Sequence, residues 1–167
     1  LVDYRLIDHL SGQSRLVLHE PRDEGCVLSF DKPWEGPFCG YCTVIKDGDV
    51  FRLYYRGLPI DGPDGSDAEV TCYAESKDGI RWIKPKLGLF PRPQSKSSNV
   101  ILAAAAPFSH NFSPMLDPRP RVPHGQRFKA LAGTDKTGVF AFVSADGIRW
   151  EKLQETAVIN DTGWVFD

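Results

Sequence analysis

The chain is 167 residues long, 41 % of them apolar and 25 % charged, with a formal net charge of −2. That length and mixture suit one domain with a buried core, and near-neutral charge without a basic run removes the electrostatic case for a nucleic-acid partner. No apolar run approaches the roughly 18 residues of a membrane span, residues 101–106 being far too short, so no membrane partner is expected.

Taken in order, residues 1–39 read as a lead-in with short strand-like stretches at 15–18 and 27–30. Residues 40–85 read as a unit of four short antiparallel strands: 40–45, 50–56, 69–75 and a last one carrying Trp82. Asp47-Gly48 punctuates the first pair, and the polar, Gly- and Pro-rich stretch 58–67 is a surface loop between the second and third strands. Residues 86–110, rich in Pro and Ser, read as a connection. Residues 111–153 read as a second unit, with strands at 112–116, 127–132, 138–143 and a last one carrying Trp150. Pro114 confines the first of these to an edge, because proline has no N–H for a second neighbour. Residues 154–167, ending in Trp164-Val165-Phe166-Asp167, lead towards a third unit.

The two units carry almost the same heptapeptide. Ser76-Lys77-Asp78-Gly79-Ile80-Arg81-Trp82 returns 68 residues later as Ser144-Ala145-Asp146-Gly147-Ile148-Arg149-Trp150, with six of seven positions identical. A repeat at fixed spacing signals a repeated supersecondary unit. Asp-Gly between β-rich runs marks a hairpin: Gly accepts positive φ, and the Asp and Ser side chains bond the turn's own backbone. Four-stranded antiparallel sheets repeated along a chain are the blades of a β-propeller. The expected fold is therefore all-β, about two blades plus a lead-in. Two blades cannot close a ring, so the chain is read as part of a longer domain whose remaining blades are its partners. A complete small β-sandwich is the competing architecture.

The cysteines are Cys26, Cys39, Cys42 and Cys72. Cys39 and Cys42 form a CxxC, but no second CxxC and no His pair at zinc spacing accompanies it. They read as small buried strand residues. Positions i and i+3 of an extended strand lie about 10 Å apart, beyond the ~7 Å reach of a disulfide. No metal site and no cofactor are expected.

In a propeller, functional residues collect where the innermost strands begin. Three segments lead into such strands: residues 34–41, 110–114 and 163–167. They offer Trp34, Glu35, Tyr41, His110, Asn111 and Asp167. Aromatic faces stack on sugar rings, and acidic, amide and imidazole groups bond hydroxyls. These residues are expected to converge on one concave face. For Glu35 and Trp34 the plainer readings are a solvated charge and a core aromatic.

With these features the chain resembles the five-bladed β-propeller glycoside hydrolases, the superfamily of families 43 and 32 that includes arabinanases, xylosidases and invertases. The two SxDGIRW hairpins, the Lys46–Tyr55 hairpin and the His110–Asp117 segment carry the resemblance, which spans the whole chain; the family domain is about twice this length. It is most similar to an uncharacterised bacterial branch with WEGPF and YAESxDGxxW segments. The resemblance implies an acidic residue at the start of each of the first three innermost strands: a base or nucleophile, an orienting Asp and a Glu acid. Here Gly40-Tyr41 stands nearest the first position with Glu35 just before it, Asn111 replaces the second, and Asp167 stands at the third. Asn orients a hydroxyl but does not titrate.

The expected function is that of a glycoside hydrolase acting on an oligo- or polysaccharide. Glu35 and Asp167 would form the carboxylate pair, and Trp34, Tyr41, His110 and Asn111 would bind substrate. A carbohydrate-binding propeller without catalysis and a protein-interaction propeller are the alternatives. The compartment stays open, a secreted or periplasmic setting being favoured.

Overall fold

The computed structural model describes Arg5, residues 7–60 and residues 62–160. Trp164 and Asp167 lie outside the described residues. The chain is all-β, with antiparallel sheets of five and four strands, neither of them closed. Among the described residues no helix is long and apolar enough to cross a membrane.

Sheet one runs β1 (Gly40–Asp47), β2 (Val50–Gly57), β3 (Val70–Ser76) and β4 (Trp82–Ile83), with β5 (Val100–Ala103) on the same edge of β3 as β4. Sheet two runs β6 (Ser113–Leu116), β7 (Phe128–Thr134), β8 (Gly138–Ser144) and β9 (Glu151–Lys152). The repeat holds at the level of pairing. Phe51 opposes Ser76 in sheet one, and Phe128 opposes Ser144 in sheet two. Pro114 lies in the edge strand β6, where its missing N–H costs no pairing.

The hairpins match bond for bond. The Ser76 and Ser144 hydroxyls each accept the Gly N–H at 2.9 Å, and Asp78 and Asp146 each accept two backbone N–H bonds at 2.7–2.9 Å. Trp82 and Trp150 each donate the indole N–H to the carbonyl of the hairpin Gly, at 2.9 and 3.2 Å. Gly79 and Gly147 have φ of +75° and +72°, a conformation that favours glycine.

Two expectations about elements fail. Residues 86–110 are not only a connection, since they contain β5, which fills the edge of β3 that the short β4 leaves open. Among the described residues sheet two answers with an isolated bridge, Val139 to Ile159. A four-residue apolar run carries too little periodicity to separate strand from loop. The lead-in stretches 15–18 and 27–30 form no strand. They have the composition but find no sheet edge. Leu28 instead packs as a side chain on the outer face of sheet one.

Strand alternation gives sheet one two apolar faces. Leu53, Tyr55, Val70, Cys72 and Ala74 face the lead-in, with Trp34 packed among them. Ile45, Tyr54, Tyr73 and Ile101 face sheet two and meet Ile148 and Trp150. Phe112, Ala130, Ala132 and Phe142 complete the contact from sheet two. The first strands of the two sheets, β1 and β6, are neighbours.

Candidate functional site

Antiparallel order decides where the loops gather. β1 starts, β2 ends and β3 starts at one end of sheet one. The start of β6 and the β7–β8 turn lie at the matching end of sheet two. The segments before β1 and β6, the β2–β3 loop and the β7–β8 turn therefore meet there, and Gly65 packs on Pro107.

At this end β1 bulges. Its register slips between Gly40 and Thr43, and Tyr41 adopts φ +51°, which lifts its ring out of the sheet to 46 % exposure. The ring stacks over the Arg56 guanidinium at 4.6 Å and lies 5.2 Å from the His110 ring. Arg56, near the end of β2, places Nη1 3.0 Å from His110 Nδ1, 3.5 Å from Glu69 and 3.9 Å from Asp64. Its other terminal nitrogen donates to the Phe38 carbonyl. The Glu69 carboxylate is fully buried. One oxygen lies 2.9 Å from His110 Nδ1, and the other accepts the Gly65 N–H at 3.1 Å. The Asp64 side chain is 74 % exposed, 3.9 Å from His110.

Asp64 also lines a groove of about 410 Å³ with Gly65, Pro107, Thr134, Lys136 and Thr137. Among the described residues, seven buried side-chain polar atoms have no partner. Five belong to this end: Arg56 Nε, Ser66 Oγ, Thr71 Oγ1, Ser109 Oγ and His110 Nε2. Native proteins rarely leave buried polar atoms unpaired.

Of the residues expected to bind or act, the structure brings Tyr41 and His110 together. Asn111 follows His110, and its amide clasps the backbone of Gly133, donating to the carbonyl at 2.7 Å and accepting the N–H at 3.1 Å. Trp34 and Glu35 belong to a different network. The Glu35 carboxylate is fully buried and accepts from Tyr55 Oη at 2.6 Å, Lys32 N at 2.8 Å and Lys84 Nζ at 2.7 Å. Asn99 donates to Tyr55 Oη and accepts from the Trp34 indole. Burial pushes the Tyr55 phenol far above its usual range, with the neighbouring Cys72 and the Glu35 bond adding to it. Tyr55 and Arg56 are consecutive residues of β2, so their side chains leave opposite faces. The Glu35 network therefore lies across the sheet from the His110 cluster. It ties the lead-in to sheet one, so Glu35 is not the solvated charge of the plainer reading.

Three residues of the cluster, Arg56, Asp64 and Glu69, escape sequence reading. A usable signal was present: a β2–β3 loop must lie at the end where β1 starts, so its acidic residues belong beside Tyr41. Asp64, Glu69 and His110 can bring one ligand atom each within 4.8 Å of one another, a spacing that suits a metal ion. Arg56 Nη1 already sits between them, so a cation would have to displace the guanidinium. All four cysteines are free thiols and only Cys72 is buried, contrary to the expectation for Cys39 and Cys42. Desolvation, with Glu35 and Cys42 adding to it, pushes the Cys39 thiol up to about 12.

Comparison with family models, with curated proteins and with solved structures finds no match.

Proposed function

We propose that the two sheets are consecutive blades of a β-propeller of glycoside hydrolase type, which binds an oligo- or polysaccharide at the end where Tyr41, Arg56, Asp64, Glu69 and His110 gather. The observation that carries this reading is the grouping there of a half-exposed aromatic ring, two carboxylates and five unpartnered buried polar atoms beside an open groove. A sugar needs an apolar face to stack on and many hydrogen-bonding groups in fixed positions. The contact between β1 and β6 supports the propeller, where the first strands of successive blades line the axis. The remaining blades would be the partners of the face of sheet two on which Met115 and Leu131 are half-exposed.

Hydrolysis is supported by one spacing. Oxygens of Asp64 and Glu69 lie no more than 4.8 Å apart, within the ~5 Å reach of a retaining pair. Burial of the whole Glu69 carboxylate favours the second reading, binding without turnover. Calorimetry and reducing-sugar release with soluble arabinan, xylan and inulin separate the two. Release that Asp64→Asn abolishes while affinity persists establishes the hydrolase. Affinity without release establishes the binding protein. No affinity for any of the three removes the carbohydrate reading.

A further inference from the structure

The shared register lets the two sheets be laid on each other residue by residue. Phe51 and Phe128 both oppose a hairpin serine, so Ile45, Tyr54 and Tyr73 of sheet one correspond to Met115, Leu131 and Ala141 of sheet two. Asp47 and Arg52 correspond to Asp117 and Lys129. The set in sheet one is covered. Tyr54 and Tyr73 are fully buried beneath Ile148 and Trp150 of the second hairpin. Asp47 accepts from Arg52 of its own sheet at 3.0 Å and pairs with Arg127 of the other. The set in sheet two is open. Met115 and Leu131 are half-exposed, and an apolar hollow of about 110 Å³ lies beside Leu131, Ser113, Gly133 and Val139. Asp117 bonds Lys129, as Asp47 bonds Arg52. Where Asp47 has a guanidinium from another sheet, Asp117 has only its neighbour Arg119, at 2.7 Å and with its side chain 70 % exposed.

We propose that the Met115–Leu131 face of sheet two is the docking surface for a third sheet of the same plan in the same polypeptide, with Asp117 as the anchor for a guanidinium of that sheet. This docking rests on the reading of the two sheets as consecutive blades and names what holds the next one. Sheet two itself is the precedent: it covers the corresponding face of sheet one with a hairpin Ile and Trp and with Arg127. The third sheet therefore brings a cation to a buried carboxylate and apolar hairpin side chains over Leu131, which is smaller than the tyrosine at the corresponding place in sheet one. A guanidinium meets a carboxylate through two parallel bonds, so the anchor fixes orientation as well as charge. A second copy of this chain does not supply such a sheet. The covering surface of its sheet two, around Trp150, is already engaged by its sheet one. Its sheet one has Val50 where sheet two has Arg127, and so offers no cation there.

Met115 is the sole methionine of the chain, a probe that needs no substitution. Its conversion to the sulfoxide in dilute hydrogen peroxide, followed by mass spectrometry of its peptide, is compared between the 167-residue chain and the polypeptide encoded by its whole gene. Oxidation is expected to be about tenfold slower in the whole polypeptide, as for a side chain reached only by local opening. Asp117→Asn is expected to recover part of the rate there, and Arg119→Ala to leave the protection intact. Equal rates in the two unaltered chains overturn the proposal and need no variant to fold. Protection already present in the 167-residue chain, with sedimentation that shifts with concentration, also overturns it, because a second copy then covers the face. Protection that Asp117→Asn leaves untouched overturns Asp117 as the anchor. A whole polypeptide that protects Met115 but binds no arabinan, xylan or inulin supports the docking and removes the carbohydrate reading alone. One that binds carbohydrate with Met115 open removes the docking alone.

Discussion

Sheet one and sheet two hold the same hairpin in opposite circumstances. Around Gly79 nothing lies within 4 Å of where a Cβ would stand. At Gly147 that position is 2.6 Å from Tyr54 Oη and 3.2 Å from the Phe128 ring. Arg52 of sheet one reaches across to the Asp146 carbonyl at 3.0 Å, and Arg127 of sheet two pairs with Asp47. The second hairpin is thus a wedge between sheets, and the first is a surface turn. The outer faces differ too. Sheet one is covered by the lead-in through Trp34 and the Glu35–Lys84 pair. Sheet two leaves Met115 and Leu131 49 % and 41 % exposed on its outer face; on the face shared with Phe142, Lys152, the counterpart of Lys84, meets the Phe108 and Phe140 rings instead of a buried acid. Identical local chemistry therefore says nothing about energetic weight, which depends on what packs against it.

The largest expected effect comes from uncovering sheet one. Glu35→Ala strands the Tyr55 hydroxyl and the Lys32 N–H without their acceptor and leaves Lys84 only Asp31 and the Ser29 carbonyl, and breaking a buried network of this kind costs about 3 kcal/mol. Lys152→Met in sheet two is expected to cost under ~1 kcal/mol, since it loses the charge over the Phe108 and Phe140 rings but keeps an apolar side chain against them. Urea unfolding measures both, and equal losses would mean that the lead-in does not cover sheet one in solution.

The matched pair Gly79→Ala and Gly147→Ala comes next. Both force a side chain into the left-handed region at about 1 kcal/mol. Only Gly147→Ala adds the clash with Tyr54 and Phe128, a further ~1–3 kcal/mol of overpacking. Tyr54→Phe removes the colliding hydroxyl, which has no partner to lose. It is expected to be nearly neutral alone and to rescue part of Gly147→Ala. Additive effects in that double-mutant cycle would show that the wedge contact does not form.

Acid should strike both hairpins. The backbone N–H groups of Arg81 and Ile80 hold the Asp78 carboxyl well below its usual range. At Asp146 burial pulls upward, but the Arg149 and Ile148 N–H groups and the Arg149 side chain outweigh it. Bonds from Lys84 and Lys32 lower Asp31 to about 2. Each folded value lies below the unfolded one, near 3.9. The stabilisation is therefore complete above about pH 4 and lost as pH falls through the folded values. The urea midpoint should fall below pH 4, and Asp78→Asn and Asp146→Asn should each flatten that fall. A midpoint unchanged down to pH 2 would mean the turns do not hold these bonds.

The smallest effect is chemical. Cys26 is expected to react with a thiol reagent in the folded chain. Cys39 and Cys72, both pushed up by burial, should wait for unfolding. Equal reaction rates would mean that the lead-in and β3 are open.

Legibility followed range. Ser76, Asp78, Gly79 and Trp82 bond one another within seven residues, so the turn could be read from the string, and the 68-residue repeat carried strand order and pairing with it. β5 was not legible, because whether Val100–Ala103 forms a strand depends on the edge that β4 leaves open. Asp167 lies outside the described residues, so its expected place beside Glu35 goes without a structural counterpart.

Local chemistry set two hairpins, a Pro confined to an edge, apolar alternation along β2 and β3, and a polar β2–β3 loop. Which face of a sheet each functional side chain reached was decided only in three dimensions. Trp34 and Glu35 precede β1 by a few residues and Tyr41 lies within it, yet Glu35 joins Tyr55 on one face while Tyr41 joins Arg56 and His110 on the other. A strand flips its side chains at every residue. A bulge at Gly40–Thr43 and the packing of Trp34 under Asn99, 65 residues away, settle the side, and neither is written in local sequence.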